Sequence, residues 1–136
     1  MNTKLLREET EVKQIKTDVI FPIVGYKKNP VTNRIEIDEK RAPKIRKIFN
    51  SLANTKQPSS NKNIINIPKI VFKEGINNVR LIVRNPFYCG EVKTYGKLYQ
   101  GIHPPLIDII TWGIANENLG KILYRIKKII NITDKD

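Results

Sequence analysis

The run Val79 to Gly90, V-R-L-I-V-R-N-P-F-Y-C-G, limits the fold more than any other stretch, because a proline cuts off the helical pattern it begins. Val79, Ile82 and Val83 stand at i, i+3 and i+4 and share one helical face, which leaves Arg80 and Arg84 on the others. Asn77 and Asn78 have side chains that accept hydrogen bonds from free first-turn amides, and Pro86 drives Asn85 out of helical dihedrals, so both ends are marked. The spacing predicts a helix of about two turns, too short to persist unless neighbours pack on it. Beyond Pro86, where a strand is expected to open, Phe87 and Tyr88 are read as core.

The rest of the chain alternates between the two periods. Residues 1–20 form a lead-in, helical or disordered, in which Lys4, Arg7, Lys13 and Lys16 balance Glu8, Glu9, Glu11 and Asp18. Ile23, Val24 and Tyr26, the turn-rich Asn29-Pro30-Val31-Thr32-Asn33, and Arg34-Ile35-Glu36-Ile37 predict a β-hairpin. Ile45, Ile48, Phe49 and Leu52 at i, i+3, i+4 and i+7 predict an amphipathic helix opened by Pro43, with Lys44, Arg46 and Lys47 on its other faces. Ile64, Ile65 and Ile67 read as a brief helical turn stopped by Pro68. A second hairpin is expected over Tyr88 to Thr94 and Leu98 to Ile102, turning at Tyr95-Gly96-Lys97 and presenting Lys93, Tyr95, Lys97 and Tyr99. Asp108 or Thr111 is expected to cap a last helix whose stripe is Leu119, Ile122, Leu123, Ile126, Ile129 and Ile130, core or a chain-to-chain contact. The fold class is α+β, a small helical core with two short β-hairpins, an arrangement open to the winged-helix form of DNA-binding domains.

Charge narrows the function. Lys and Arg number 25 against 13 Asp and Glu, a net +12, which points to a polyanionic partner unless coding bias alone has enriched Lys, Asn and Ile. Cys89 is the only cysteine, so an internal disulfide and a multi-cysteine zinc site are excluded. No apolar run approaches the roughly 20 residues of a membrane span, and a cytoplasmic protein with no membrane partner is expected. Neither a metal nor a cofactor is expected, since the acidic residues do not cluster with His103, which reads as a hydrogen-bonded structural residue. Ser51, Ser59 and Ser60 lack an activating base pattern and read as caps, so no catalytic residue is assigned.

The signature run looks like the V-x-x-I-L-x-N-P-x-Y-x-G motif in the recombinase domain of large serine recombinases, the integrases and transposases of phages and mobile elements. Three further pieces stand in that family's order. Pro22-Ile23-Val24-Gly25-Tyr26 resembles its opening P-x-G-Y with one extra residue, and Ile37 to Phe49 is similar to its v-d-x-x-x-A-x-x-v-r-x-I-F helix. Ile102-His103-Pro104-Pro105-Leu106-Ile107-Asp108 resembles its x-H-P-x-I-I-d link, followed by the spacing of Trp112, Asn116 and Leu119. The likeness runs from about Pro22 to Leu119 and is loosest between Thr55 and Gly75, where Phe72 is expected to take the packing place of a family tryptophan. It implies that residues 21–136 are a duplex-DNA-binding domain of a site-specific recombinase, an oligomer when full length. The family's catalytic domain, with its Tyr-x-Arg-x-Ser nucleophile, is not in this sequence, so the chain is expected to bind DNA without cutting it.

Eight residues are the candidate DNA contacts. Arg80 and Arg84 reach base edges or phosphates; Asn77 and Asn78 are helix caps or adenine readers; Lys93 and Lys97 act as a wing on phosphates; Lys44 and Lys47 form a rival basic face or a solvated one. Two alternatives share the composition: a structured-RNA binder, and an interaction module that uses the 119–130 stripe.

Overall fold

Among the described residues, two antiparallel β-hairpins are interspersed with four α-helices. The structure, a computed structural model, describes residues 23–58 and 64–135, and the lead-in expected over residues 1–20 lies outside them. Strands β1 (Tyr26–Lys28) and β2 (Ile35–Ile37) pair Tyr26 with Ile37 and Lys28 with Ile35. Helices α1 (Ala42–Ala53), α2 (Lys69–Glu74) and α3 (Ile76–Val83) follow, then a 3-10 turn (Pro86–Cys89), strands β3 (Glu91–Thr94) and β4 (Lys97–Gln100), and the long helix α4 (Ile109–Lys135). This is the α+β architecture that the alternating periods predict. The chain divides into two units, Met1–Arg46 with Asn85–Ile109, and Lys47–Arg84 with Ile110–Asp136.

The first unit has an aromatic core. Gly25, at φ 99, carries the chain into β1 past Ile45 Cγ1, Leu106 Cδ1 and Tyr88 Cε1, which would stand 3.3, 3.4 and 3.6 Å from any Cβ there, so glycine alone suits both dihedral and space. Beside it the Tyr26 hydroxyl donates to Pro104 O at 2.8 Å and accepts from Leu106 N at 3.1 Å, and its ring meets Phe87 edge-on with centroids 4.9 Å apart. Phe87 and Tyr88 are buried as expected, but a 3-10 turn rather than a strand places them there. Pro86 explains the difference: its fixed φ and missing donor suit the first position of a helical turn, where Asn85 Oδ1 accepts from Phe87 N at 3.0 Å. Gly90, left-handed at φ 92, then releases the chain into β3.

His103 lies flat on Phe87, centroids 3.5 Å apart, and its Nε2 donates to the Phe87 carbonyl at 2.6 Å, which assigns the proton to that nitrogen. The structural role expected for it is the one it has. Burial pushes the Tyr88 hydroxyl up to about 12 and raises Tyr26 further in the same direction. Burial, and then the Glu91 carboxylate, push the Cys89 thiol up to about 11.

In the second unit the fully buried residues are Ile48, Phe49 and Leu52 of α1, Val79 and Val83 of α3, and Ala115, Leu119 and Ile122 of α4. Two asparagines of α4 donate to carbonyls at other helix ends: Asn118 Nδ2 donates to Leu52 O at 2.9 Å, beside Thr55 N at 3.1 Å, and Asn116 Nδ2 donates to Val83 O at 2.8 Å. Three local expectations fail here. Residues 64–67 are not helical, and Pro68 stands at the N-cap of α2 instead of ending a helix, since a residue without a donor costs nothing where no helical bond is due. Phe72 is 72% exposed and does not fill a tryptophan's place, because α2 buries Ile70 and Val71 instead. Neither Asn77 nor Asn78 caps α3: the helix starts at Ile76 from Gly75 at φ 90, and Asn78 Nδ2 instead donates backward to Glu74 O at 3.0 Å.

Candidate nucleic-acid interface

Helix α3 divides cleanly by side. Advancing at about 100° per residue, Arg80, Arg84, Asn77, Leu81 and Asn78 fall in that angular order on one arc and all are exposed, while Val79 and Val83 opposite them are completely buried. Neither Arg80 nor Arg84 has an acidic side-chain partner among the described residues, so both guanidinium groups stand toward solvent. Their place in the last turn and just past it also suits the negative end of the helix dipole. Leu81, 71% exposed, lies on the same arc between Asn77 and Asn78. The sequence reading names no role for Leu81, although the face set by Val79, Ile82 and Val83 leaves it on the side of the arginines.

The second hairpin is shorter at its turn than expected. Tyr95 and Gly96, at φ 49 and φ 75, make a two-residue loop of the type with both central residues left-handed, and Lys97 belongs to β4. Pairing of Val92 with Tyr99 and of Thr94 with Lys97 sets these four on one face; Lys93 with Leu98, and Glu91 with Gln100, take the other. Val92, 3% exposed, anchors the first face in its unit. Lys93 and Lys97 are therefore both exposed but point from opposite faces of the ribbon, a consequence of register that spacing alone does not give.

On α1, Lys44 and Lys47 are exposed as expected. Two other basic residues are engaged in the fold. Arg46 Nε donates to Leu106 O at 3.2 Å with Glu39 at 3.9 Å, and Arg125 donates to Ile64 O at 2.8 Å and to Pro58 O at 2.7 Å. The 119–130 stripe also divides: Leu119 and Ile122 are core, whereas Ile129 and Ile130 are 45% and 52% exposed.

Parts of three motif pieces meet in the first unit's core. Tyr26 holds Pro104, His103 stacks on Phe87, and Tyr88 Oη donates to Val24 O at 2.6 Å, so Gly25-Tyr26, Asn85 to Gly90 and His103-Pro104 are one packed cluster. Most of these side chains are buried in that core. The candidate contacts lie elsewhere, on the outer arc of α3, on the hairpin and on the exposed lysines of α1.

A family model described as Recombinase matches residues 39–121. Among solved structures, one from work on the sequence requirements of the Listeria innocua prophage attP site is similar with a TM-score of 0.57 at 19% identity, covering 82% of this chain and 50% of that one. Another, the crystal structure of an LSR-DNA complex, is similar with a TM-score of 0.55 at 20% identity, covering 76% of this chain and 32% of that one. The chain thus spans half or less of the length of these proteins, and at such identities the likeness is one of fold. No curated protein matches the chain. With the family model matching more than half of the chain and the motif pieces in family order, the chain belongs to the Recombinase family, the recombinase domain of large serine recombinases.

Proposed function

We propose that this chain is the duplex-DNA-binding part of a site-specific serine recombinase of a mobile element, whose strand-cutting serine belongs to a separate catalytic domain. The observation that carries the reading is the outer arc of α3, two exposed guanidinium groups with no acidic partner among the described residues and two asparagines beside Leu81, on a chain of net charge +12. Support also comes from the family and from the similar folds, one studied for an attP site and the other a complex with DNA. In this reading residues 21–136 act as the domain and residues 1–20 as its lead-in, in the cytoplasm, and the full-length recombinase works as an oligomer. No described helix is long and apolar enough to cross a membrane.

Helix α3 docks at the major groove, where arginine pairs with guanine O6 and N7, asparagine with adenine, and an apolar side chain with the thymine methyl. Lys44, Lys47, Lys93 and Lys97 neutralise phosphates and set affinity without reading sequence. If about five phosphates are neutralised, log K falls against log salt with a slope of about −4 to −5. Fluorescence anisotropy on a labelled mixed-sequence duplex checks this. Arg80→Ala with Arg84→Ala should weaken binding and make the slope shallower by up to about two. Unchanged affinity in the double variant, or duplex RNA competing as well as duplex DNA, overturns the assignment.

A further inference from the structure

We propose that the β3–β4 tip is a groove-inserting element with Tyr95 as its leading residue, a step that rests on the duplex-DNA reading above. Tyr95 is 89% exposed, and its backbone is left-handed at φ 49. The other non-glycine residue in that region among those described is Asn33 at φ 60, a type that tolerates it. A bulky aromatic does not, and a two-residue loop of this kind is best served by Asn-Gly. The turn itself therefore gives no reason for a tyrosine, nor does packing, since the ring is almost wholly in solvent.

What surrounds the ring defines its partner. Lys93 and Lys97 leave opposite faces of the ribbon next to the tip, and neither has an acidic partner among the described residues. The ribbon's one carboxylate, Glu91, sits at its base opposite Gln100. Cations on both faces of a narrow projection match two anionic walls, one on each side, which is what a groove of duplex DNA presents. A two-stranded ribbon with its side chains is about 10 Å thick. It exceeds the minor groove, about 6 Å wide, and fits the major groove, about 12 Å wide. Entering tip first, it brings Lys93 and Lys97 to the phosphates of the two strands and the Tyr95 ring to base edges, where its hydroxyl can donate or accept.

The test uses the full chain and a labelled mixed-sequence duplex, with Tyr95→Asn as the central variant. Asparagine keeps the turn, so the variant should melt no lower than the parent while binding about tenfold more weakly, the loss of one base-edge contact. Tyrosine is uncharged, so the salt slope should stay unchanged, whereas Lys93→Ala and Lys97→Ala should each make it shallower by about one. Saturating the minor groove with netropsin should leave the Tyr95→Asn deficit intact. Equal affinity of Tyr95→Asn and parent, a lower melting temperature, a changed slope, or a deficit erased by netropsin each overturns the tip assignment. A parent chain that binds no duplex overturns the DNA reading as well, so the two failures are told apart.

Discussion

At Gly25 a single methyl group meets two obstacles, a left-handed dihedral and Ile45 Cγ1 at 3.3 Å. Gly25→Ala should cost about 2 to 4 kcal/mol, from backbone strain and overpacking together, read as a lower urea midpoint. Tyr26→Phe should cost less, about 1 kcal/mol. Its lost hydroxyl leaves Leu106 N still bonded to Tyr88 O at 2.9 Å, although Pro104 O loses its donor. Cys89, with its thiol pushed up to about 11, should alkylate far more slowly in the folded chain than in urea at neutral pH. The sequence makes these residues legible unevenly. Gly25-Tyr26 and His103-Pro104 stand out through family resemblance, yet the Tyr26 hydroxyl's bonds to Phe87, Pro104 and Leu106 span 61 to 80 positions and leave no trace in any local period.

Helix α3 was readable as an element, in its length, its buried valines and its stop before Pro86, because all three follow from spacing and one imino acid. Its start was not readable. Gly75 both closes α2 and opens α3, and Asn78 turns its amide back to Glu74 O, so two residues with capping chemistry do no capping there. Stability and binding should separate on this helix. Val83→Ala, a wholly buried position, should cost about 2 kcal/mol. The Arg80→Ala, Arg84→Ala pair should stay within about 0.5 kcal/mol of the parent while losing DNA affinity. Asn118→Ala should cost about 1 kcal/mol by removing one of two donors to Leu52 O, which keeps only Thr55 N at 3.1 Å, since that asparagine is 6% exposed. Nothing local marks Asn118 as a cap, because the carbonyl it serves lies 66 residues away.

Across the whole molecule, the buried tyrosines tie stability to alkaline pH. Tyr88 has its hydroxyl raised from 10.0 to about 12 in the folded chain and Tyr26 is raised as well, so folding favours their protonated forms. Their contribution is complete below the unfolded value of about 10 and is lost as pH rises toward the folded one, because over that interval the unfolded chain releases protons that the folded chain retains. The melting temperature should therefore fall steeply between pH 10 and 12, and less steeply in Tyr88→Phe. Division into two units, each drawn from separated segments, was beyond reach of the sequence: it depends on which distant stretches meet, and α1 and α4 both carry residues of each.

The amino-acid sequence by itself determined the α+β class, both hairpins, the two-turn helix and the family, since periodicity, proline and glycine placement and motif order are local properties of the chain. Tertiary structure alone decided that Tyr26, Phe87, His103 and Pro104 meet in one cluster, that Asn118 serves the end of α1, and that Lys93 and Lys97 point from opposite faces. The reason is physical. Which side of an element meets solvent is set by helix rotation and strand register, and these are chosen by packing against residues far away in sequence.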